Sequence, residues 1–244
     1  MQGGISHKYS FFPLGDSGLL IEFGNIVDKT INDQVLILFK LLQAARLPWI
    51  SDLVPAYSSL AIFYNDQSLL PITENAGTHY EQAVKKVQAF LCEADHTLVS
   101  MPRRQLRVPV CYEEGFAPDL DDVAQRSGLS VEEVIHLHTS SSFRIYMIGF
   151  LPGFAYMGEV LDAIAVDRRS EPRKSVPAGS VGIAGKQTGI YPFDSPGGWQ
   201  LIGKTPVSLF DIDNDAPTFF QPGDEVFFYS ITANEFTNYQ SGAI

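Results

Sequence analysis

Apolar residues recur along this chain in two different rhythms, and the change between them divides it. In the first rhythm, strand-like runs alternate with helical faces. Leu19-Leu20-Ile21-Glu22-Phe23 follows the Gly-Asp-Ser-Gly turn at residues 15–18 and reads as a strand. From residue 28 to residue 46, Ile31, Val35, Leu38, Leu42 and Ala45 recur at helical spacing, which predicts an amphipathic helix. Two short β-rich runs follow, at residues 50–54 and 60–64. A second helix fits residues 78–94, with Ala83, Val87, Phe90 and Leu91 on one face.

A polar stretch over residues 93–104, containing His96, Pro102 and two arginines, reads as the connection. Beyond it come a strand at 106–111 and two short helices at 120–126 and 131–138. Ser130 and Glu133 form a capping-box pattern for the latter. From Phe143 onward helix signals vanish, and Gly and Pro punctuate short apolar runs, as expected of a closed or sandwiched β architecture. The ββαββα order of the first half suits a ferredoxin-like α/β sandwich. The predicted class is therefore α+β, with one domain over 1–98 and a β-rich domain over 104–240. There is no internal repeat or low-complexity segment.

The length of 244 residues suits one large domain or two ordinary ones, and 45% apolar with 18% charged residues predicts a packed core rather than disorder. A formal charge of −11 argues against nucleic acid or an anionic membrane as partner, because both need a basic surface. An anionic ligand must then be held by a local basic cluster working against the overall field. Cys92 and Cys111 lack metal or redox spacing, and Cys111 lies in an apolar run. Residues 1–12 contain no apolar core of a targeting signal, and no stretch approaches about 18 continuous apolar residues. The expectation is a soluble, reduced, cytoplasmic protein.

Glycine and proline concentrate between residues 138 and 206. Glycines let the backbone approach a ligand closely, and prolines stiffen the loops that carry it. Between them lie His138, Arg173, Ser180, Gln187, Thr188, Trp199 and Lys204, a density of chemically capable side chains that tight turns alone do not require. Three familiar patterns fail on context. Gly198 to Thr205 matches G-x-x-x-x-G-K-[ST], but its interior is bulky and a strand pattern follows, so no phosphate cradle is expected. Ser180 sits in an approximate nucleophile-elbow phrase, yet all five histidines precede it, against the hydrolase order. Asp211-Ile-Asp213-Asn-Asp215 begins like a calcium loop but has Ala216 and Pro222 at the sixth and twelfth positions, so a solvated turn is expected.

Taken together, Gly149-Phe150-Leu-Pro152-Gly153-Phe154-Ala-Tyr156, Pro172-Arg173, Val176-Pro177-Ala178-Gly179-Ser180, Gly185-Lys-Gln187-Thr188-Gly189-Ile190-Tyr191-Pro192 and Ser195-Pro-Gly-Gly-Trp199 form a long phrase. With Leu201-Ile202-Gly203-Lys204-Thr205-Pro206 and His138, it resembles the family variously described as the B-type subunit of 5-oxoprolinase, allophanate hydrolase subunit 1 and the sporulation-kinase inhibitor KipI. Weaker matches at Gly15-Asp16, Val54-Pro55 and Pro222-Gly223-Asp224 extend the resemblance over nearly the whole chain. It implies a ferredoxin-like domain followed by a cyclophilin-like β-barrel. One departure is Phe143, where the family pattern leads us to expect a tyrosine.

The resemblance also implies a component of an ATP-dependent 5-oxoprolinase, which opens 5-oxo-L-proline to L-glutamate and is inactive without its partners. Those partners are a second cyclophilin-like subunit and a lactam-processing subunit. An amide carbonyl is a poor electrophile, and phosphorylating its oxygen prepares it for attack by water. In that reaction His138 suits the acid/base role and Arg173 the anchoring of an anion. Ser180, Gln187, Thr188 and Lys204 suit substrate binding as hydrogen-bond donors, and Trp199 suits a wall that excludes water. With no nucleotide loop in this chain, ATP is expected on a partner or at a shared interface. The family leaves two alternatives: a binding module that inhibits a histidine kinase, and a subunit acting on a urea derivative.

Overall fold

The computed structural model describes residues 9–69, 71, 77–93 and 103–239. The chain divides into two compact units, Met1–Pro102 and Arg103–Ile244. The expected connection at 93–104 falls largely outside the described residues.

In the N-terminal unit the order is β1 (Ser10–Pro13), β2 (Gly18–Glu22), α1 (Lys29–Ala45), β3 (Ile50–Pro55), β4 (Ser59–Tyr64) and α2 (His79–Glu93). The strands form an antiparallel sheet in the order β1-β2-β4-β3. Alternation along β4 turns Leu60, Ile62 and Tyr64 inward, where they meet Val35, Leu38 and Leu42 of α1 and Ala83, Val87 and Leu91 of α2. Asp28 starts α1 by accepting the Ile31 N–H at 2.9 Å, and Arg46 ends it in the left-handed conformation.

The second unit is built on a closed barrel of seven strands in the order β10-β7-β6-β13-β5-β12-β9. Its strands are β5 (Gln105–Cys111), β6 (Ser142–Ile148), β7 (Ala155–Gly158), β9 (Ser180–Ala184), β10 (Gln187–Ile190), β12 (Gln200–Lys204) and β13 (Glu225–Ile231). All neighbours are antiparallel except β13 and β5. Val108, Val110, Phe143, Ile145, Val181, Ile183, Ile202, Val226 and Phe228 belong to the core of this unit. α3 (Leu120–Ser127) and α4 (Val131–Thr139) pack on that core through Leu120, Val123 and Val134. α4 begins with the expected capping box between Ser130 and Glu133. A separate ribbon pairs β8 (Arg173–Val176) with β11 (Ser195–Gly197).

Helix does return late in the chain, contrary to the expectation. α5 (Ala233–Thr237) opens with a capping box between Thr232 and Glu235, the same spacing that marks α4. The segment that imitates a phosphate loop is strand β12, and the calcium-like segment is an exposed turn closed by Asp211 and Asn214 side chains on backbone N–H groups. No helix among the described residues is long and apolar enough to cross a membrane.

Candidate functional site

The loop between β6 and β7 and the ends of β10 and β11 bring five aromatic rings together. Phe154 is central, edge-on to Phe150 at 5.5 Å, Tyr156 at 4.9 Å, Tyr191 at 5.4 Å and Trp199 at 5.5 Å between centroids. Such pairs add roughly 0.5–1.5 kcal/mol each beyond their burial. The glycines of the motif create the space. A Cβ on Gly189 would lie 2.8 Å from the Ala155 carbonyl oxygen and 3.2 Å from the Trp199 ring, and one on Gly197 would collide with the Tyr191 ring. The rings line a cleft of about 310 Å³, walled also by Pro172 and Pro196, with Arg168 as its charged residue. Phe150 is 61% exposed and holds φ at 71°, a left-handed conformation that is strained for an aromatic residue. Burial pushes the Tyr191 phenol above its ordinary range, against smaller opposing effects of a backbone hydrogen bond at Trp199 and of the Arg173 charge.

Arg168 also lines a second recess of about 430 Å³, shared with Asp122, Arg126, Arg169, Glu171 and Gln200. Arg126 pairs with Asp122 at 3.5 Å, whereas the Arg168 side chain has no partner among the described residues. Arg169 reaches Asp119 at 3.4 Å. Asp119 is buried, and its local signal is that of a cap for α3, yet it makes no cap bond. Its carboxylate instead accepts the Leu201 N–H at 2.6 Å and Nη2 of Arg173 at 2.6 Å. One buried acid thereby fixes β12, β8 and the arginine segment together. Gln200, 3% exposed, donates from Nε2 to the Asp167 carbonyl at 3.0 Å, while its Oε1 is buried without a partner.

The sequence-predicted residues separate into groups. His138 is fully buried among barrel side chains, stacked on Phe228 at 4.6 Å and beside Phe143 at 5.1 Å. Its Nδ1 lies 2.7 Å from the Tyr112 hydroxyl and its Nε2 lies 3.3 Å from Thr188 Oγ1. The Thr188 hydroxyl donates to the Gly182 carbonyl at 2.9 Å, so Nε2 carries the proton and Nδ1 accepts from Tyr112. Burial lowers the imidazole pKa to about 3. The acid/base role expected of His138 thus meets an enclosed ring whose two nitrogens are both hydrogen-bonded and whose neutral form burial favours. Tyr112, which sequence reasoning missed, supplies the hydroxyl that His138 Nδ1 accepts from, and Phe143 packs beside the ring without one.

Arg173 sits on Asp119 with one guanidinium nitrogen, Nη1, buried and unpartnered. Ser180 is buried at the start of β9, opposite Lys204, whose stem passes 3.5 Å from where a Cβ on Gly179 would sit. Gln187 is half-buried and pairs across β10 and β7 with Gly158. Of the predicted set, Trp199 lines the aromatic cleft. Phe150, Phe154, Tyr156 and Tyr191 lie within the motif phrases but read there as scaffold, because apolar rings in a β-rich segment look like core. Arg168 and Asp119 lie outside those phrases, and the only local signal, at Asp119, is that of a helix cap.

The second unit is thus a β-barrel module carrying a ligand-sized aromatic cleft beside an arginine recess. The family model described as carboxyltransferase domain, subdomain C and D, matches residues 9–220, and the chain belongs to that family. It is 39% identical to the B-type subunit of 5-oxoprolinase from Bacillus subtilis strain 168 over 234 residues, covering 96% of this chain and 97% of that protein. The crystal structure of TTHA0988 superposes with a TM-score of 0.75 at 34% identity over 89% of this chain, which spans 40% of that longer chain. The conserved uncharacterized protein PH0987 from Pyrococcus horikoshii matches at 41% identity and a TM-score of 0.53, over 93% of this chain and 100% of that one.

Proposed function

We propose that this chain is the B-type subunit of a cytoplasmic, ATP-dependent 5-oxoprolinase complex that opens 5-oxo-L-proline to L-glutamate. The observation that carries this reading is the 39% identity to the corresponding 5-oxoprolinase subunit of Bacillus subtilis, which runs nearly end to end in both chains. In the same reading the N-terminal unit is a ferredoxin-like sandwich and the closed barrel is cyclophilin-like. The ββαββα order and the seven-stranded closure support both.

The aromatic cleft with its flanking arginines is the ligand-facing part of the chain. Arg173 acts there through position, since its contact with Asp119 holds β8 against β12 beneath the cleft. With His138 neutral and enclosed, the proton transfers of ring opening fall to groups of the partner subunits. The isolated chain should therefore show no 5-oxoproline-dependent ATP hydrolysis. Adding a second cyclophilin-like subunit and a lactam-processing subunit should give glutamate release coupled to ADP formation. Robust turnover by the chain alone would overturn the dependence on partners. Inactivity with every combination of subunits, together with tight binding to a histidine kinase, would overturn the enzyme reading in favour of a kinase-inhibiting module.

A further inference from the structure

We propose that the aromatic cleft and the arginine recess are one bipartite site for a nucleotide, with the base among the rings and the phosphates on the arginines. Arg168 belongs to both cavities, so a single ligand passing it occupies both.

The cleft favours a planar, aromatic ring. Base stacking on aromatic side chains is tolerant of base identity, and Phe150, Tyr156 and Trp199, which line the cleft, are each at least partly exposed. Its volume of about 310 Å³ lies at the lower end of the roughly 300–1,000 Å³ typical of pockets for drug-sized ligands. A single five-membered lactam would leave most of it unfilled, and the recess beyond it empty. Phe150, exposed and held at a positive φ, lines this cleft.

The recess favours an anion with a hydrogen-bond donor beside it. Of the three arginines lining the recess, Arg126 is paired with Asp122 and Arg169 with Asp119, on a chain whose formal charge is −11. Arg168 is the guanidinium free to fork onto phosphate oxygens. Gln200 is nine-tenths buried or more, and its Nε2 is committed to Asp167, so the orphaned Oε1 calls for a donor. A ribose hydroxyl is such a donor, whereas an unprotonated phosphate or carboxylate is not. Recognition here runs through side chains, consistent with β12 occupying the segment that imitates a phosphate loop.

The inference deepens the 5-oxoprolinase reading by placing nucleotide contacts on this chain, and it is tested without turnover. Calorimetric titration of the full isolated chain with ATP, ADP, inorganic phosphate and 5-oxo-L-proline decides it. ATP and ADP should bind. Arg168→Ala should weaken ATP about tenfold or more through lost charge-assisted bonds, and Phe150→Ala should weaken both nucleotides by a similar factor. Both side chains are exposed, so unchanged melting temperatures will show that the variants fold. Absence of heat from millimolar ATP would overturn the proposal, as would wild-type affinity in both variants. Inorganic phosphate binding as tightly as ATP would remove the base from the cleft and overturn it. Binding of 5-oxo-L-proline without nucleotide binding would assign the cleft to the lactam and overturn it too. None of these outcomes depends on activity of a reconstituted complex, so the two readings fail separately.

Discussion

The imidazole of His138 is enclosed by Tyr112, Phe143, Thr188 and Phe228, and its neutral form is the one these neighbours accept. Its folded pKa of about 3 lies below the ordinary value of 6.5. Between those two values the unfolded chain binds a proton that the folded chain refuses, so this residue's contribution is complete above about pH 6.5 and is lost as pH falls toward 3. The slope reaches about 1.4 kcal/mol per pH unit. In His138→Gln that slope should disappear, so unfolding free energy measured by urea denaturation should fall less steeply between about pH 6.5 and about pH 4 than in wild type. At about pH 7 the variant should be less stable by roughly 1–3 kcal/mol, because the Tyr112 and Thr188 hydroxyls lose their shared partner. Equal pH slopes would show that the histidine is not enclosed. The sequence marked His138 as chemically capable; its burial depends on strands distant in the chain and is not written in its neighbours.

At the scale of elements, β10 and β11 supply glycines where aromatic rings press against the backbone. Gly189→Ala should cost about 1–3 kcal/mol, because the added carbon meets a backbone carbonyl that cannot swing aside. Gly198→Ala, whose nearest neighbour would lie at 3.6 Å, should stay within about 0.5 kcal/mol. Thermal melting of the two variants checks the contrast, and equal losses would show that the rings do not rest on β10. Helices α1, α2, α3 and α4 were legible because apolar spacing is local, and α4 also because its capping box is. α5 was legible too in its Thr232–Glu235 spacing, but five residues give too short an apolar period to stand out from the surrounding strands.

At the scale of the whole molecule, the two compact units should separate under limited proteolysis between residues 93 and 104, the polar stretch that joins them. Mass spectrometry of the first products should give fragments of about 100 and about 140 residues. A first cut within 138–206 would instead show that the motif loops open more readily than the connection. The sequence by itself determined the strand and helix rhythm, the acidic surface and the glycine-rich phrase that carries the family resemblance, since each is written in neighbouring residues. It also marked Trp199 and Arg173 as unusual. Only the tertiary structure decided their surroundings. Closing the barrel buried His138 with Thr188, laid Arg173 on Asp119 across 54 residues, and set Arg168 between an aromatic cleft and a basic recess. Side-chain burial and charge pairing are properties of contacts between distant segments, and no local pattern encodes them.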